Sequence, residues 1–440
     1  MAKSKIISGF SKLSKDDKIK LVSEYFDNPA QTIKEFKSFW HKNKEIQKLL
    51  DEFSENTITN FYFPYGISPN FIINNKNYLL PLVIEESSVV AAASNSAKFW
   101  STRGGFHAKV VSSVKVGQVH FSWRGDLSKL KSHFEELKLR LIKNAKPITA
   151  KMEERGGGIL DIELMDMTHE IVDYYQLKAT FETVDSMGAN FINSCLEDFA
   201  MTLRSFLYNM PYFEGQEKEC NVIMSILSNY TPDCLIQSWV ECDIADLGPF
   251  DDGRTVEEFV KKFEMAVKIA QVDTFRATTH NKGIFNGIDA VVLATGNDFR
   301  AVEAAGHTYA SRDGKYRSLT KVNIENGKFK YILTIPMALG TVGGLTSLHP
   351  LAKLSLELLG QPSANELMMI AATAGLANNF GAITTLVTKG IQKGHMKMHL
   401  LNILNNYNAT DSEKIQSVEH FKDKKVSFNA VREFLDLLRK

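Results

Sequence analysis

Lys282 and Asp298 flank an apolar run, residues 288–295, whose β-branched composition and bounding Asn-Gly and Gly-Asn pairs predict a short buried strand. On that reading both side chains sit in loops at the strand ends or on adjoining helix starts. A lysine so placed can hold negative charge developing on an oxygen, and a nearby carboxylate can fix its position and protonation. The same two residues could equally form an exposed ion pair of little energetic worth.

Other residues have chemistry to offer. Glu85 and Glu86 precede an apolar stretch, where adjacent acids are ordinarily solvated. Arg276 carries a guanidinium suited to paired hydrogen bonds with a carboxylate, or is a surface cation. Residues 185–190, Asp-Ser-Met-Gly-Ala-Asn, combine a glycine that permits close backbone approach with an aspartate able to bind a ribose hydroxyl. That pattern serves equally as a helix-capping turn. Residues 340–344, Gly-Thr-Val-Gly-Gly, permit similar close approach. No strand-linked G-x-G-x-x-G is present, which argues against a Rossmann domain. His395 and His399 have the spacing of a metal pair, but no Glu follows His395 and no third ligand is evident. His169 and Glu170 begin a zinc-protease-like pattern that fails at Asp173, where the second His should stand. We therefore expect no metal.

Elements must hold these residues in place. Ser14, with Asp17 three residues on, predicts a helix start, and helical spacing continues through Trp40 to Leu50. Residues 71–73 and 78–80 read as a hairpin around an Asn-rich turn. Residues 108–116 and 118–123 read as a second hairpin, followed by a helix over 127–142, strands over 159–165 and 174–181, and a long amphipathic helix over 191–208. That order suggests a compact α+β lobe inserted in the chain. Residues 231–253 read as loop-rich, 256–269 as helix, and 340–344 and 375–381 as glycine segments flanking a helical run. The final thirty residues predict two charged helices split near 424–427.

At 440 residues the chain exceeds what one core usually supports. Lys plus Arg (52) nearly cancel Asp plus Glu (51), which gives no electrostatic case for nucleic acid. The four cysteines show no C-x-x-C pair and read as reduced. The first residues lack a signal-peptide apolar region, and no apolar run is read as long enough to span a bilayer, so a cytoplasmic protein is expected.

Five strings in order, residues 81–94 (PLVIEESSVVAAAS), 185–190 (DSMGAN), 273–309, 340–350 (GTVGGLTSLHP) and 394–399 (GHMKMH), resemble class II 3-hydroxy-3-methylglutaryl-coenzyme A (HMG-CoA) reductases, over about residues 56–402. The resemblance implies an α+β fold: a large, mainly helical lobe (1–106 and 223–389), an inserted ferredoxin-like, non-Rossmann dinucleotide-binding domain (107–222) and a C-terminal helical flap (390–440). It implies a two-step reduction of HMG-CoA to mevalonate and CoA through mevaldyl-CoA and mevaldehyde, with NADH or NADPH. Reverse oxidation uses the same groups. By alignment Glu86 is the proton donor, Lys282 the cation at the carbonyl oxygen, Asp298 the residue that tunes both, and His395 the acid for the departing thiolate. A second carboxylate beside Glu86 should raise its pKa. Ser88, Arg276 and Asn286 match substrate contacts, and Asp185, Met187, Gly188 and Asn190 line the dinucleotide site. The family forms dimers with shared active sites, so a homodimer or a multiple of it is expected, without nucleic acid or membrane. The alternative is a non-catalytic CoA- or dinucleotide-binding homologue. The chain departs from the class II pattern at Ser87 (often Pro), Thr59 (a usual Gly), Asn378 (commonly Gln) and Leu401, which displaces an Arg near the CoA or flap region.

Overall fold

Three short helices build the first of two units, Met1–Pro64, in a computed structural model that describes residues 6–250, 253–388, 400–401, 403–422, 424 and 426–439. Side-chain oxygens of Ser14, Asn28 and Asn43 accept from the free amides at the starts of α1 (Lys15–Ser23), α2 (Pro29–Ser38) and α3 (Lys44–Glu52). Lys15 reaches Asp51 at 2.6 Å, and the Thr59 hydroxyl donates to the Phe36 carbonyl, tying the three together.

The second unit, Tyr65–Lys440, opens with the expected hairpin, β1 (Tyr65–Ile73) and β2 (Lys76–Val83). Asn74 and Asn75 turn it, both at positive φ, as a two-residue hairpin loop requires. After α4 (Ser87–Ser101) come β3 (His107–Ser113) and β4 (Lys115–Trp123). These do not form the expected second hairpin. β3 pairs with a later strand, whereas β4 enters a separate sheet, so residues 113–115 carry the chain from one layer to another.

That separate sheet follows with α5 (Leu127–Ser132), α6 (Phe134–Asn144), α7 (Lys146–Glu153), β5 (Gly158–Asp166), β6 (Tyr174–Glu182), α8 (Ala189–Asn209) and β7 (Cys220–Leu227). Its strand order is β5-β6-β4-β7, every pair antiparallel. This is the ferredoxin-like β-α-β-β-α-β arrangement. One face of the sheet and α8 share a core around Val119, Phe121, Leu177, Phe181, Phe199 and Leu203.

A larger core holds the remaining elements. β8 (Cys234–Asp243) lies where a loop is expected; Cys234, Ile236, Ser238, Val240 and Cys242 alternate inward along it. Then come α9 (Val256–Val272), α10 (Thr274–Ala294), α11 (Phe299–Ala310), β9 (Thr320–Glu325), β10 (Lys328–Pro336), α12 (Leu345–Leu348), α13 (Pro350–Leu358) and α14 (Ala364–Val387). The sheet order is β3-β8-β10-β9, again antiparallel.

α10 replaces the strand expected over residues 288–295. Its Asn286-Gly287 pair is not a turn but the place where α10 meets α14: a Cβ on Gly287 would collide with the Ala374 carbonyl, and one on Gly375 would lie 2.7 Å from Ile288. Residues 375–381, expected as a glycine-spaced segment, are likewise α14 helix. α14 is long and apolar enough to cross a membrane, contrary to the expectation of no such run, and 78% of its apolar window is buried inside this fold. Helices Asp411–His420 and Phe428–Leu438 close the chain around a small third core that includes Leu400, Leu404, Phe421 and Leu435.

Candidate active site

Glu86 stands at the N-cap of α4, yet its side chain does not cap that helix. One carboxylate oxygen accepts from the Ser88 hydroxyl, and the other lies 3.7 Å from the Lys282 ammonium. Lys282 reaches this point from the middle of α10. Both side chains stay open to solvent (63% for Lys282, 43% for Glu86), so their mutual attraction is weak and both remain available to a third group. Asn286, one turn further along α10, shares the Lys282 face, and its amide has no hydrogen-bond partner among the described residues. Ser87 occupies the first helical position of α4, where a proline would also fit.

Asp298 stands at a helix start, one of the two placements expected for it. It caps α11, accepting from the amides of Arg300 (3.0 Å) and Ala301 (3.3 Å), and takes two further hydrogen bonds from the Arg300 guanidinium. Those Arg300 bonds hold its carboxyl below the ordinary range, outweighing partial burial. The charged neighbour of Glu86 is Lys282, and the partner of Asp298 is Arg300. The adjoining Asn297 carries the link to the glycine loop, its amide oxygen accepting from Gly340 N–H at 2.8 Å.

Arg276 lies in the first turn of α10, half-buried, and its guanidinium has neither ion pair nor hydrogen bond among the described residues. Burial lowers its pKa, an unusual strain on an arginine. Beneath it runs a buried polar chain. His280 Nε2 lies 2.6 Å from the Thr320 hydroxyl, Tyr331 OH donates to Asn379 Oδ1 and lies 3.0 Å from the Thr320 hydroxyl, and Asn379 Nδ2 donates to the His280 carbonyl. Among the described residues His280 Nδ1 is buried without a partner. Burial, reinforced by Arg276, pushes the imidazole down to about 3, so it stays neutral.

The 185–190 string forms a loop entering α8. Gly188 adopts φ +90°, and a Cβ there would lie 2.6 Å from Thr183 Cγ2. Among the described residues no side chain caps α8, which leaves its first amides open to an anion. Ser186 and Val342 form a short parallel bridge, and a Cβ on Gly340 would sit 2.5 Å from the Met187 nitrogen, so the two glycine-bearing loops are docked together. Asp185 is partly occupied: Oδ1 accepts from the Ala364 amide at the start of α14, and its carbonyl from Thr341 N–H. Asn190 is exposed in the first turn of α8. His395 lies outside the described residues.

The hydroxymethylglutaryl-coenzyme A reductase family model matches residues 15–400. The HMG-CoA reductase of Archaeoglobus fulgidus is 36% identical over all 440 residues, covering 96% of that protein. This chain belongs to the HMG-CoA reductase family. A probable HMG-CoA reductase of Borreliella burgdorferi is 33% identical over 93% of this chain and 91% of its own. The structure of the class II HMG-CoA reductase of Streptococcus pneumoniae, bound to NADPH in open conformations, superposes with a TM-score of 0.71 at 34% identity, over 87% of this chain and 99% of that one.

The reductase family match begins well before residue 56, where the resemblance was read to start, and so takes in the first unit's helices. Sequence reading passed over Asn297, His280 and Asn379, although the first two lie inside the quoted 273–309 string. Only their contacts distinguish them from packing residues. Leu401, in place of the usual Arg, packs against the C-terminal apolar core, which accounts physically for a hydrocarbon there.

Proposed function

We propose that this chain is an HMG-CoA reductase that reduces the HMG-CoA thioester to mevalonate and releases CoA, using NADH or NADPH. The observation that carries this is the Ser88–Glu86–Lys282 cluster, an acid and a cation held side by side and exposed at the junction of α4 and α10. Lys282 would hold the carbonyl oxygen as negative charge develops, and Glu86, hydrogen-bonded by Ser88, would deliver the proton to that oxygen. Arg276, with no partner of its own, would take the free carboxylate of the substrate, and Asn286 would donate to it from the Lys282 face. His395 would protonate the departing thiolate. Asp298 enters through position rather than proton transfer: it fixes the start of α11 beside Asn297 and the glycine loop.

The residues present suit a dinucleotide. An uncapped α8 N-terminus, a left-handed Gly188 and a side-chain-free Gly340 against Met187 leave backbone room and open amides. Met187, Gly188 and Asn190 would hold it, with Asp185 anchoring the loop to α14. The reduced nicotinamide supplies hydride when bound.

We place the three lobes at 1–106 with 223–389, 107–222 and 390–440, and the protein in the cytoplasm as a homodimer or a multiple of it. The exposed row Leu351, Leu354 and Leu358 on α13, with Leu345 and Leu348 on α12, supports burial against a second copy. Lys282→Ala should lower kcat by roughly 100- to 1,000-fold while leaving dinucleotide binding intact. Wild-type protein that binds both ligands yet never turns over would favour the non-catalytic homologue.

A further inference from the structure

Lys115 opens β4 in register with Phe181 of β6 and is only 3% exposed. A lysine is rarely so buried unless something requires its charge. Among the described residues its ammonium makes no ion pair, although the Glu182 and Asp185 carboxylates lie near enough to favour its charge. It donates instead to the Thr183 hydroxyl and to the Ser186 carbonyl, the latter at 3.1 Å. The Thr183 hydroxyl donates in turn to the same carbonyl at 2.6 Å. A buried cation is thus spent on one backbone carbonyl.

That carbonyl belongs to the peptide joining Ser186 to Met187. On its other side the loop bridges Val342 and approaches Gly340 too closely for any side chain. A peptide is planar and trans, so pinning the oxygen also fixes where the Met187 N–H points. The turn that presents this peptide is strained: Val184, β-branched, sits at φ +50°. Its N–H is held by Glu182 Oε1 at 2.8 Å, and Ser113 donates to the other Glu182 oxygen. Strain of this kind persists only where the surroundings over-determine it. Lys115, Thr183 and Glu182 are those surroundings.

We infer that Lys115 is a positioning residue for dinucleotide binding: its buried ammonium locks the Ser186–Met187 peptide and so pre-forms the loop that receives the cofactor. This rests on the assignment of residues 185–190 to the dinucleotide.

The test uses full-length protein and four forms: wild type, Lys115→Met, Thr183→Val and Asn190→Asp. Binding of NADH and NADPH is followed by nicotinamide fluorescence, and binding of HMG-CoA by calorimetry. Lys115→Met should weaken the dinucleotide by roughly 10- to 100-fold, the scale of a lost charged hydrogen bond, and leave HMG-CoA affinity within about twofold. Thr183→Val should act in the same direction and less strongly, and it decides the matter if Lys115→Met fails to fold. Asn190→Asp places an acid in the exposed first turn of α8, where it suits the helix but repels a bound pyrophosphate. If Asn190→Asp weakens the dinucleotide while Lys115→Met and Thr183→Val do not, the dinucleotide site stands and the role of Lys115 is wrong. If Asn190→Asp changes nothing, the site assignment falls and the inference with it. Equal weakening of both ligands by Lys115→Met would mark a merely structural lysine and overturn the inference.

Discussion

Replacing Arg276 with methionine should move stability and substrate affinity in opposite directions. The guanidinium is half-buried in the first turn of α10 with no anion or hydrogen-bond acceptor among the described residues, and burial already disfavours its charge. Methionine keeps an unbranched apolar stem for the packing and removes the desolvated cation. The unliganded protein should therefore melt at the wild-type temperature or slightly above it. His280 should stay neutral, because burial rather than Arg276 is the larger cause of its lowered pKa. The substrate carboxylate, by contrast, loses a charged hydrogen-bonding partner worth about 1.5–3 kcal/mol. That corresponds to a roughly 10- to 150-fold rise in the KM for HMG-CoA. Differential scanning fluorimetry of apo protein and steady-state kinetics at saturating dinucleotide measure the two quantities. HMG-CoA should raise the melting temperature of the wild type and fail to do so for Arg276→Met. A variant that melts several degrees lower yet keeps its KM would refute the reasoning, since Arg276 would then be a structural cation.

Two further expectations concern α10 itself. Gly287→Ala should destabilise the fold by about 2 kcal/mol or more, read by chemical denaturation, because the new methyl would meet the Ala374 carbonyl, a backbone group that cannot swing aside, as well as the Asn378 amide. An unchanged denaturation midpoint would mean that α10 and α14 can separate freely. Asp289 lies on the Lys282–Asn286 face and is held above the ordinary carboxyl range by burial, with Glu303 of α11 as a second, like-charged cause. A raised folded-state pKa means that the protonated acid stabilises the fold below the ordinary carboxyl pKa, and that this contribution is lost as pH rises towards the raised value. Asp289→Asn should thus melt above wild type at neutral to mildly alkaline pH, by on the order of a few kcal/mol, and converge with it near pH 4. A difference independent of pH would contradict this.

Much of the local structure was legible where one short-range signal sufficed. Ser14 with Asp17 marked α1, the Asn74-Asn75 turn marked the β1–β2 hairpin, and a 3.6-residue apolar stripe marked α8. The misreadings share a cause: a local signal overruled by a tertiary contact. Asn286-Gly287 and the β-branched run after it look like a turn and a strand, yet the glycine is there to let two helices touch. Nothing in residues 113–115 reveals that β3 and β4 leave for different sheets. The alternation in β8 was present but masked by its polar outward residues, Gln237 and Glu241 among them. In the site, residue types were readable and partners were not. That Asp298 binds Arg300 depends on the geometry of a helix cap, and whether the Asp185 carboxylate is free depends on where α14 begins. Lys115, a lone lysine in a strand, has no sequence signature at all.

The most direct test of the proposed reaction follows absorbance at 340 nm with purified protein and HMG-CoA, comparing NADH and NADPH in parallel. Oxidation that depends on the thioester, consumes two dinucleotides per CoA released and falls by roughly 100- to 1,000-fold in Lys282→Ala is the expected result. No oxidation with either dinucleotide, in folded protein that binds HMG-CoA, would contradict it.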